Sequence, residues 1–329
     1  MADFSVVIPT YNRMDTLPEV LEALEVQEGA PEFEVVVVDD GSTDGTWDFL
    51  QGWRPSVLTR TLRQENAGPA RARNWGVEQA SGDRVAFLGD DTVPQRGWLR
   101  AHADAAAELR DHPMLAVIGY TAWHPRMRLT PFLRYINEFG LQFGYAIIDD
   151  PDDVPFNFFY TSNLSLPRRA LLEEPFDLGF PYPAWEDIEV AYRLKKKGLR
   201  LLYRPSAQVL HDHPTDLRRF MGRQEKAGYS AVVFHQRHPE LGGFLGIGPD
   251  GPPPMPPVGR QRFRERVARV MHSISVPITT ARLWEDILRF YYIAGLHRGW
   301  FERVVGPQQS ADPGTPAEPA PKRGQGGPT

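Results

Sequence analysis

Along the first ninety positions, apolar residues fall into two alternating kinds of run. Residues 5–9 (SVVIP) and 33–38 (FEVVVV) are short, continuous and rich in β-branched side chains, the pattern of strands buried on both faces. Residues 57–61 and 84–88 (RVAFL) continue the series. Between these runs the spacing becomes helical. Leu17, Val20, Leu21 and Leu24 share one face, and Thr16 with Glu19 three positions on predicts a capping box ahead of them. Further helices are expected over 44–50 and 70–80. Strands that alternate with helices imply right-handed crossovers and a mainly parallel sheet. In such sheets ligands bind outside the carboxyl ends of the strands.

The pattern is less regular further on. Residues 115–120 read as a strand, 131–143 as an aromatic-rich helix and 149–155 as an acidic, proline-containing loop. Residues 185–197 read as a helix closed by Gly198, 200–203 and 208–211 as two strand pieces, and 215–237 as a long helix whose end carries surface histidines His235 and His238. Gly and Pro crowd residues 241–257, which read as a linker. Residues 260–305 hold nine Arg against four acids, together with Trp284, Phe290, Tyr291, Tyr292, Trp300 and Phe301. This helical appendage either docks on the main body or lies on an anionic membrane surface. Residues 306–329 have the composition of a disordered tail. The expected organisation is a catalytic domain over 1–240, divided near residue 95, then a linker over 241–259, the basic helices and the tail.

Composition narrows the function classes. The 329 residues include 37 basic and 42 acidic side chains, a net charge of −5, and are 41% hydrophobic, as in a soluble globular protein. The absence of cysteine excludes disulfides, thiolate metal sites and Cys nucleophiles. The mild acidity argues against nucleic acid as a partner. No run approaches the ~18 apolar residues of a membrane span, and the first residues lack the layout of a signal peptide. A cytoplasmic enzyme, peripheral to a membrane at most, is the expectation.

Four polar clusters follow strands or open helices, where ligands are expected. Residues 9–13 (PTYNR) can set an aromatic face and backbone groups against a base. Residues 39–45 (DDGSTDG) place carboxylates at a strand end, able to accept from a base imide or a ribose hydroxyl. A calcium loop starting at Asp40 is excluded, because its twelfth position is Gln51 and a strand precedes it. Residues 66–74 (NAGPARARN) lead into a helix whose N-terminus and Arg73 favour phosphate oxygens. Asp90 and Asp91, adjacent at a strand end, repel each other unless neutralised, and Mg²⁺ or Mn²⁺ would do so with hard oxygen ligands.

Taken in order, SVVIPTYNR, VVVVDDGSTDGT, NAGPARARNWG and FLGDDTVP, followed by the stretch ending in AWEDIEVAYRLKKKG, resemble glycosyltransferase family 2 over about residues 4–213. The resemblance implies an α/β, GT-A-type nucleotide-binding sheet flanked by helices, with the C-terminal helices as an appendage. It implies an inverting, metal-dependent transfer from a nucleotide-diphosphate sugar, a UDP-sugar foremost, to a glycan or lipid-linked acceptor. By similarity Pro9, Tyr11, Arg13, Asp40, Asn66, Gly68, Arg73 and Asp90 surround the nucleotide, with Asp40 toward the base and Asp90 toward the ribose. Asp91 becomes the direct ligand of Mg²⁺ or Mn²⁺, with His211 preferred over His213 as a further one. Asp187 takes the general base position, with Glu186 second. Gly89 stands where the family often has a third acid.

Three other classes fit the sequence less well. A sugar nucleotidyltransferase needs a Gly-rich phosphate loop near the first strand, which IPTYNR lacks. A non-catalytic nucleotide-sugar-binding protein fits poorly with retention of Asp40, Asp91 and Asp187 together. The lack of G-x-G-x-x-G after any strand argues against a dinucleotide oxidoreductase.

Overall fold

The structure is a computed structural model that describes residues 2–109, 111–138, 142–272 and 279–306. Its strands are β1 (Phe4–Thr10), β2 (Phe33–Asp39), β3 (Thr59–Arg63), β4 (Arg84–Leu88), β5 (Thr92–Pro94), β6 (Leu115–Trp123), β7 (Asn163–Pro167) and β8 (Arg200–His211). They form one sheet in the order β3-β2-β1-β4-β7-β6-β8-β5. Pairing is parallel across β3-β2-β1-β4 and between β6 and β8, and antiparallel at β4–β7, β7–β6 and β8–β5. The helices are α1 (Leu17–Glu25), α2 (Thr46–Gly52), α3 (Pro69–Gln79), α4 (Trp98–Glu108), α5 (Pro131–Glu138), α6 (Arg168–Glu173), α7 (Glu186–Lys196), α8 (Leu217–Arg237), α9 (Gly242–Leu245), α10 (Val258–His272) and α11 (Thr279–Trp300).

The continuous apolar runs have the expected cause. Val6 and Ile8 of β1 pack with Leu17, Leu21 and Leu24 of α1, while Val7 packs with Val36, Val38 and Phe87 beneath α3. Both faces of these strands are covered, so neither needs polar residues.

Several boundaries differ from the sequence reading, each for an identifiable reason. β3 begins two residues later than expected, in register with Val35 of β2. The capping box does not form: the Thr16 hydroxyl donates to the carbonyl of Asp90 (2.9 Å), and Glu19 pairs with His124 (3.2 Å) and Arg126 (2.6 Å). Tertiary partners have outbid the local cap. The two strand pieces near 200 and 210 are one strand, β8, whose pairing with β6 skips from Arg204 to Gln208 through an irregularity beside Gly119 and Tyr120. The described part of helix α5 is Pro131–Glu138, and Gln142 and Phe143, expected within it, are not helical. His238 is not at the surface: its ring bonds Glu189 at 2.9 Å. Within the stretch read as a linker, Gly242–Leu245 is helical, and Leu245 and Ile247 are buried with Phe234 and Leu296. The expected tail from 307 on lies outside the described residues.

α11 crosses α8 at backbone contact. A Cβ on Gly228 would stand 2.0 Å from the carbonyl oxygen of Tyr292, and one on Gly295 would stand 1.9 Å from that of Glu225. Two glycines therefore let the C-terminal helices seat against the helix that follows β8. Among the described residues, no helix is long and apolar enough to cross a membrane. Gly295→Ala forces the two helices apart; overpacking of this kind costs about 1–3 kcal/mol, and scanning calorimetry should show a thermal midpoint lowered by several degrees.

Candidate active site

The carboxyl ends of β1, β2 and β4 open on one side of the sheet, and the end of β8 is brought to them by β5. Asp90 and Asp91 form the turn between β4 and β5. The three residues of β5 pair antiparallel with β8, so that Thr92 lies opposite His211, and the N–H of Asp212 donates to the carbonyl of Asp91 at 2.8 Å. This short ladder carries His211 and His213 onto Asp91.

The Asp91 carboxylate is the hub. Its Oδ1 is 3.5 Å from His211 Nε2, and its Oδ2 is 3.1 Å from His213 Nδ1 and 3.5 Å from Arg13 Nη2. The three candidate ligand atoms of Asp91, His211 and His213 lie within 4.8 Å of one another. Burial pushes the Asp91 carboxyl up, but His211 and His213 outweigh it and hold the group well below the usual carboxylate range. Asp90 goes the other way: burial and then the charge of Asp91 push it up to about 6, against Arg13 and the Tyr11 N–H. Arg13 Nε reaches Asp90 Oδ1 at 3.3 Å, so one guanidinium spans the acid pair. The loop that carries it is held by the turn after β2 and the start of α2: Asn12 N–H donates to Ser42 (2.8 Å), Arg13 N–H to Thr46 (3.0 Å) and Met14 N–H to Asp44 (3.0 Å).

Asp40, Asn66 and Gly68 form a second group, bound chiefly to one another. Asp40 Oδ1 accepts from Gln64 Nε2 (2.6 Å) and the Ala67 N–H (2.8 Å), and Oδ2 from the Gly68 N–H (2.9 Å). The Asn66 amide donates to the Asp40 carbonyl at 3.1 Å. Gly41 (φ 81°) and Gly68 (φ 89°) take left-handed or related conformations that let the two loops meet. Asp40 is thus buried and committed to shaping the entry of α3. Pro9 lies inside β1 opposite Val38, and Tyr11 is 45% exposed beside the acid pair.

The third group opens α7. Glu186 is buried and pairs with Arg73 at 2.9 Å, which links α7 to α3. Asp187 has no such partner among the described residues. Its Oδ1 accepts the Ile188 N–H at 2.9 Å. Burial, then repulsion from Glu186, pushes its carboxyl up to about 7, against Arg73 and the N–H groups of Ile188 and Thr161. The preceding residue, Trp185, has φ 73°, a conformation that costs a bulky residue about 1–3 kcal/mol. It is retained by an indole N–H donated to the Ala227 carbonyl on α8 (2.9 Å) and by packing on Phe234 and Phe244. A cavity of about 290 Å³ lies beside this group, lined by Asn66, Gly68, Tyr182 and Glu186 among others.

The structure brings Asp91, His211, Asp90 and Arg13 together, joins Arg73 to Glu186, and ties Asp40 to Asn66 and Gly68. Sequence reasoning ranked His213 below His211, yet His213 makes the shorter contact to Asp91. It missed Arg223 of α8, whose charge is opposed by the crowding of surrounding protein and favoured by Asp187, Glu186 and Asp91. Arg223 is one of several cations in that helix, and nothing in the spacing distinguishes it. Gln142 was missed as well; its amide lies 3.4 Å from His211 Nδ1.

The chain has recognisable relatives among known proteins. Residues 5–164 match the family model for glycosyl transferase family 2. Validoxylamine A glucosyltransferase of Streptomyces hygroscopicus subsp. limoneus is 35% identical over 72% of this chain and 57% of its own length. Pre-mycofactocin glycosyltransferase of Mycobacterium tuberculosis is 28% identical over 72% of this chain and 48% of its own. The chain therefore spans about half to three fifths of these relatives. Among solved structures, a mannosyltransferase of Pyrobaculum calidifontis in complex with GDP-Man and Mn²⁺ superposes with TM-score 0.60 at 18% identity, over 92% of this chain and 88% of that one. That likeness establishes the GT-A fold.

Asp40→Ala removes the acceptor of the part-buried N–H groups of Ala67 and Gly68, a loss of about 0.5–1.5 kcal/mol per hydrogen bond. Hydrogen exchange should accelerate at residues 66–68 and the thermal midpoint should fall, ahead of any effect on chemistry.

Proposed function

The chain belongs to glycosyl transferase family 2, and on that footing we propose that it transfers a sugar, with inversion, from a nucleoside-diphosphate donor to an acceptor hydroxyl. One observation carries the reading. A carboxylate flanked by two imidazoles and a carboxylate pushed up to about 7 both interact electrostatically with the same guanidinium, Arg223 of α8.

In this reading Asp187 accepts the proton of the acceptor hydroxyl while that oxygen attacks the anomeric carbon. The bond from that carbon to the diphosphate breaks, and its electron pair leaves with the diphosphate. Asp187 suits the role because Arg73 pairs with Glu186, while Asp187 has no ion pair among the described residues. A base must be ionised, and a carboxyl near 7 is poised to take a proton and release it. Asp91, His211 and His213 would hold a divalent cation, which supplies charge neutralisation for the departing diphosphate. The mixed donor set fits: Mg²⁺ prefers oxygen throughout, so two imidazoles favour Mn²⁺. Arg13 neutralises the same acids and is close enough to turn toward phosphate oxygens. Tyr11, Pro9 and the Asp40–Gly68 loops line the nucleotide side.

The donor base is read as uridine, with guanosine the second choice because the fold neighbour from Pyrobaculum calidifontis carries GDP-Man. The acceptor is read as a glycan or lipid-linked hydroxyl. Supporting the latter, α10 turns Arg260, Arg262, Phe263 and Arg266 to solvent, a basic and apolar face suited to an anionic lipid surface.

Two measurements test this. A thermal-shift panel of nucleoside-diphosphate sugars with Mn²⁺ should single out one base, and Asp91→Asn should abolish the shift; a panel without any stabilised member refutes the donor site. Turnover should rise with pH up to about 7 and then level, because protonated Asp187 cannot accept the acceptor's proton. Asp187→Asn should lower kcat about 10²–10⁴-fold and abolish that acid limb while the donor-induced shift persists. Near-normal turnover in this variant removes Asp187 from the role.

A further inference from the structure

The His211 ring is held by its neighbours. Trp123 lies parallel to it, with centroids 5.3 Å apart and planes 14° apart, and His213 lies parallel at 5.5 Å and 11°. Phe143 meets it edge-on at 5.9 Å. These contacts fix the plane of the ring, and Nε2 faces Asp91 Oδ1 at 3.5 Å. They do not decide which nitrogen carries the proton. A neutral imidazole has one N–H and one lone pair, and the partner of one nitrogen determines the state of the other.

The partner of Nδ1 is Gln142. Its Nε2 stands 3.4 Å from His211 Nδ1, a long contact, while its Oε1 is buried with no hydrogen-bond partner among the described residues. The side chain is enclosed, at 7% exposure, and its own N–H donates to the Ile136 carbonyl at 2.9 Å, so it is held at the end of α5 beside the ring. A long bond on one amide atom and an orphan on the other are the two marks of an amide that serves a second arrangement.

We propose that Gln142 is a positioning residue that selects the His211 tautomer and so prepares Nε2 to ligate a divalent cation. The inference rests on the reading of Asp91, His211 and His213 as a cation site. With Gln142 Nε2 donating to Nδ1, the ring proton stands on Nε2, aimed at Asp91, and no lone pair is left for a metal. A half-turn of the amide brings Oε1 to Nδ1. The orphan oxygen then accepts Nδ1–H, Nε2 is left bare beside Asp91, and the ring's proton count is unchanged. An amide is the neutral side chain able to serve both states, whereas a carboxylate in its place accepts only and locks the ligating tautomer. The apolar and aromatic packing on the ring leaves this in-plane contact as the means of choosing.

The experiment titrates Mn²⁺ alone into the full chain and into Gln142→Leu, Gln142→Glu and Asp91→Asn, with bound metal read by electron paramagnetic resonance. The His211 tautomer is read by imidazole nitrogen NMR on the metal-free proteins. Gln142→Leu should bind Mn²⁺ about 10- to 100-fold more weakly. Gln142→Glu should bind at least as tightly as the parent and show the Nδ1–H form before metal is added. If Asp91→Asn abolishes binding while Gln142→Leu stays within about twofold of the parent, against the loss expected of a ligand-orienting partner, the role of Gln142 is overturned and the cation site stands. If Asp91→Asn binds Mn²⁺ unchanged, the cation site falls and the role of Gln142 with it. Should Gln142→Leu fail to fold, Gln142→Glu decides alone: weaker binding, or an Nε2–H ring, overturns the proposal.

Discussion

Everything at the candidate site depends on a ladder three residues long. β5 follows Asp91 without an intervening loop, and β8 runs its last residues against it, with Thr92 opposite His211. Without that register the adjacent carboxylates of Asp90 and Asp91 would keep Arg13 as their one ion-pair partner among the described residues. Two like charges in a partly desolvated turn are costly unless cations or donors surround them. The ladder supplies two imidazoles, and β6 completes the arrangement by pairing Trp123 with His211 from the other side of β8. A single strand, clasped between a long parallel neighbour and a very short antiparallel one, thus assembles groups from three distant parts of the chain.

The first half of the fold was legible because its physics is local. β1, β2 and β4 are covered on both faces, so their apolar runs are unbroken, and α1 shows a clean apolar stripe. β5 and β7 were not legible. β5 is too short to have a period. β7 reads NLSLP, an alternation that suggests one solvated face, yet Asn163 and Ser165 are fully buried. Asn163 faces inward because it bonds the Trp98 indole, His102 and the carbonyls of Tyr120 and Ala207. Those partners come from three other elements and leave no trace in the local pattern. The capping box at Thr16 failed in the same way, its hydroxyl taken by Asp90.

The site shows the same division. Residue types announced the chemistry, since carboxylates and histidines at strand ends are rarely idle. How the labour is shared among them was not readable, because it depends on which carboxylates are already satisfied. Asp40 accepts three hydrogen bonds from Gln64, Ala67 and Gly68, Glu186 pairs with Arg73, and Asp91 gathers two imidazoles and Arg13, which leaves Asp187 as the acid without an ion pair among the described residues. Gln142 gave no signal at all: its partner is 69 positions away.

Trp185 holds the carboxylates of α7 the way a catch holds a sprung latch. Its left-handed backbone stays in place only while the indole is fastened to Ala227 and wedged against Phe234 and Phe244. Those anchors belong to α8 and to the short helix after it, and α8 is itself gripped by α11 through paired glycines. The aim of the acid that begins α7 is therefore set from the far end of the polypeptide. A loosening there, however remote from any sugar, would be felt as a lapse of alignment rather than as a loss of affinity.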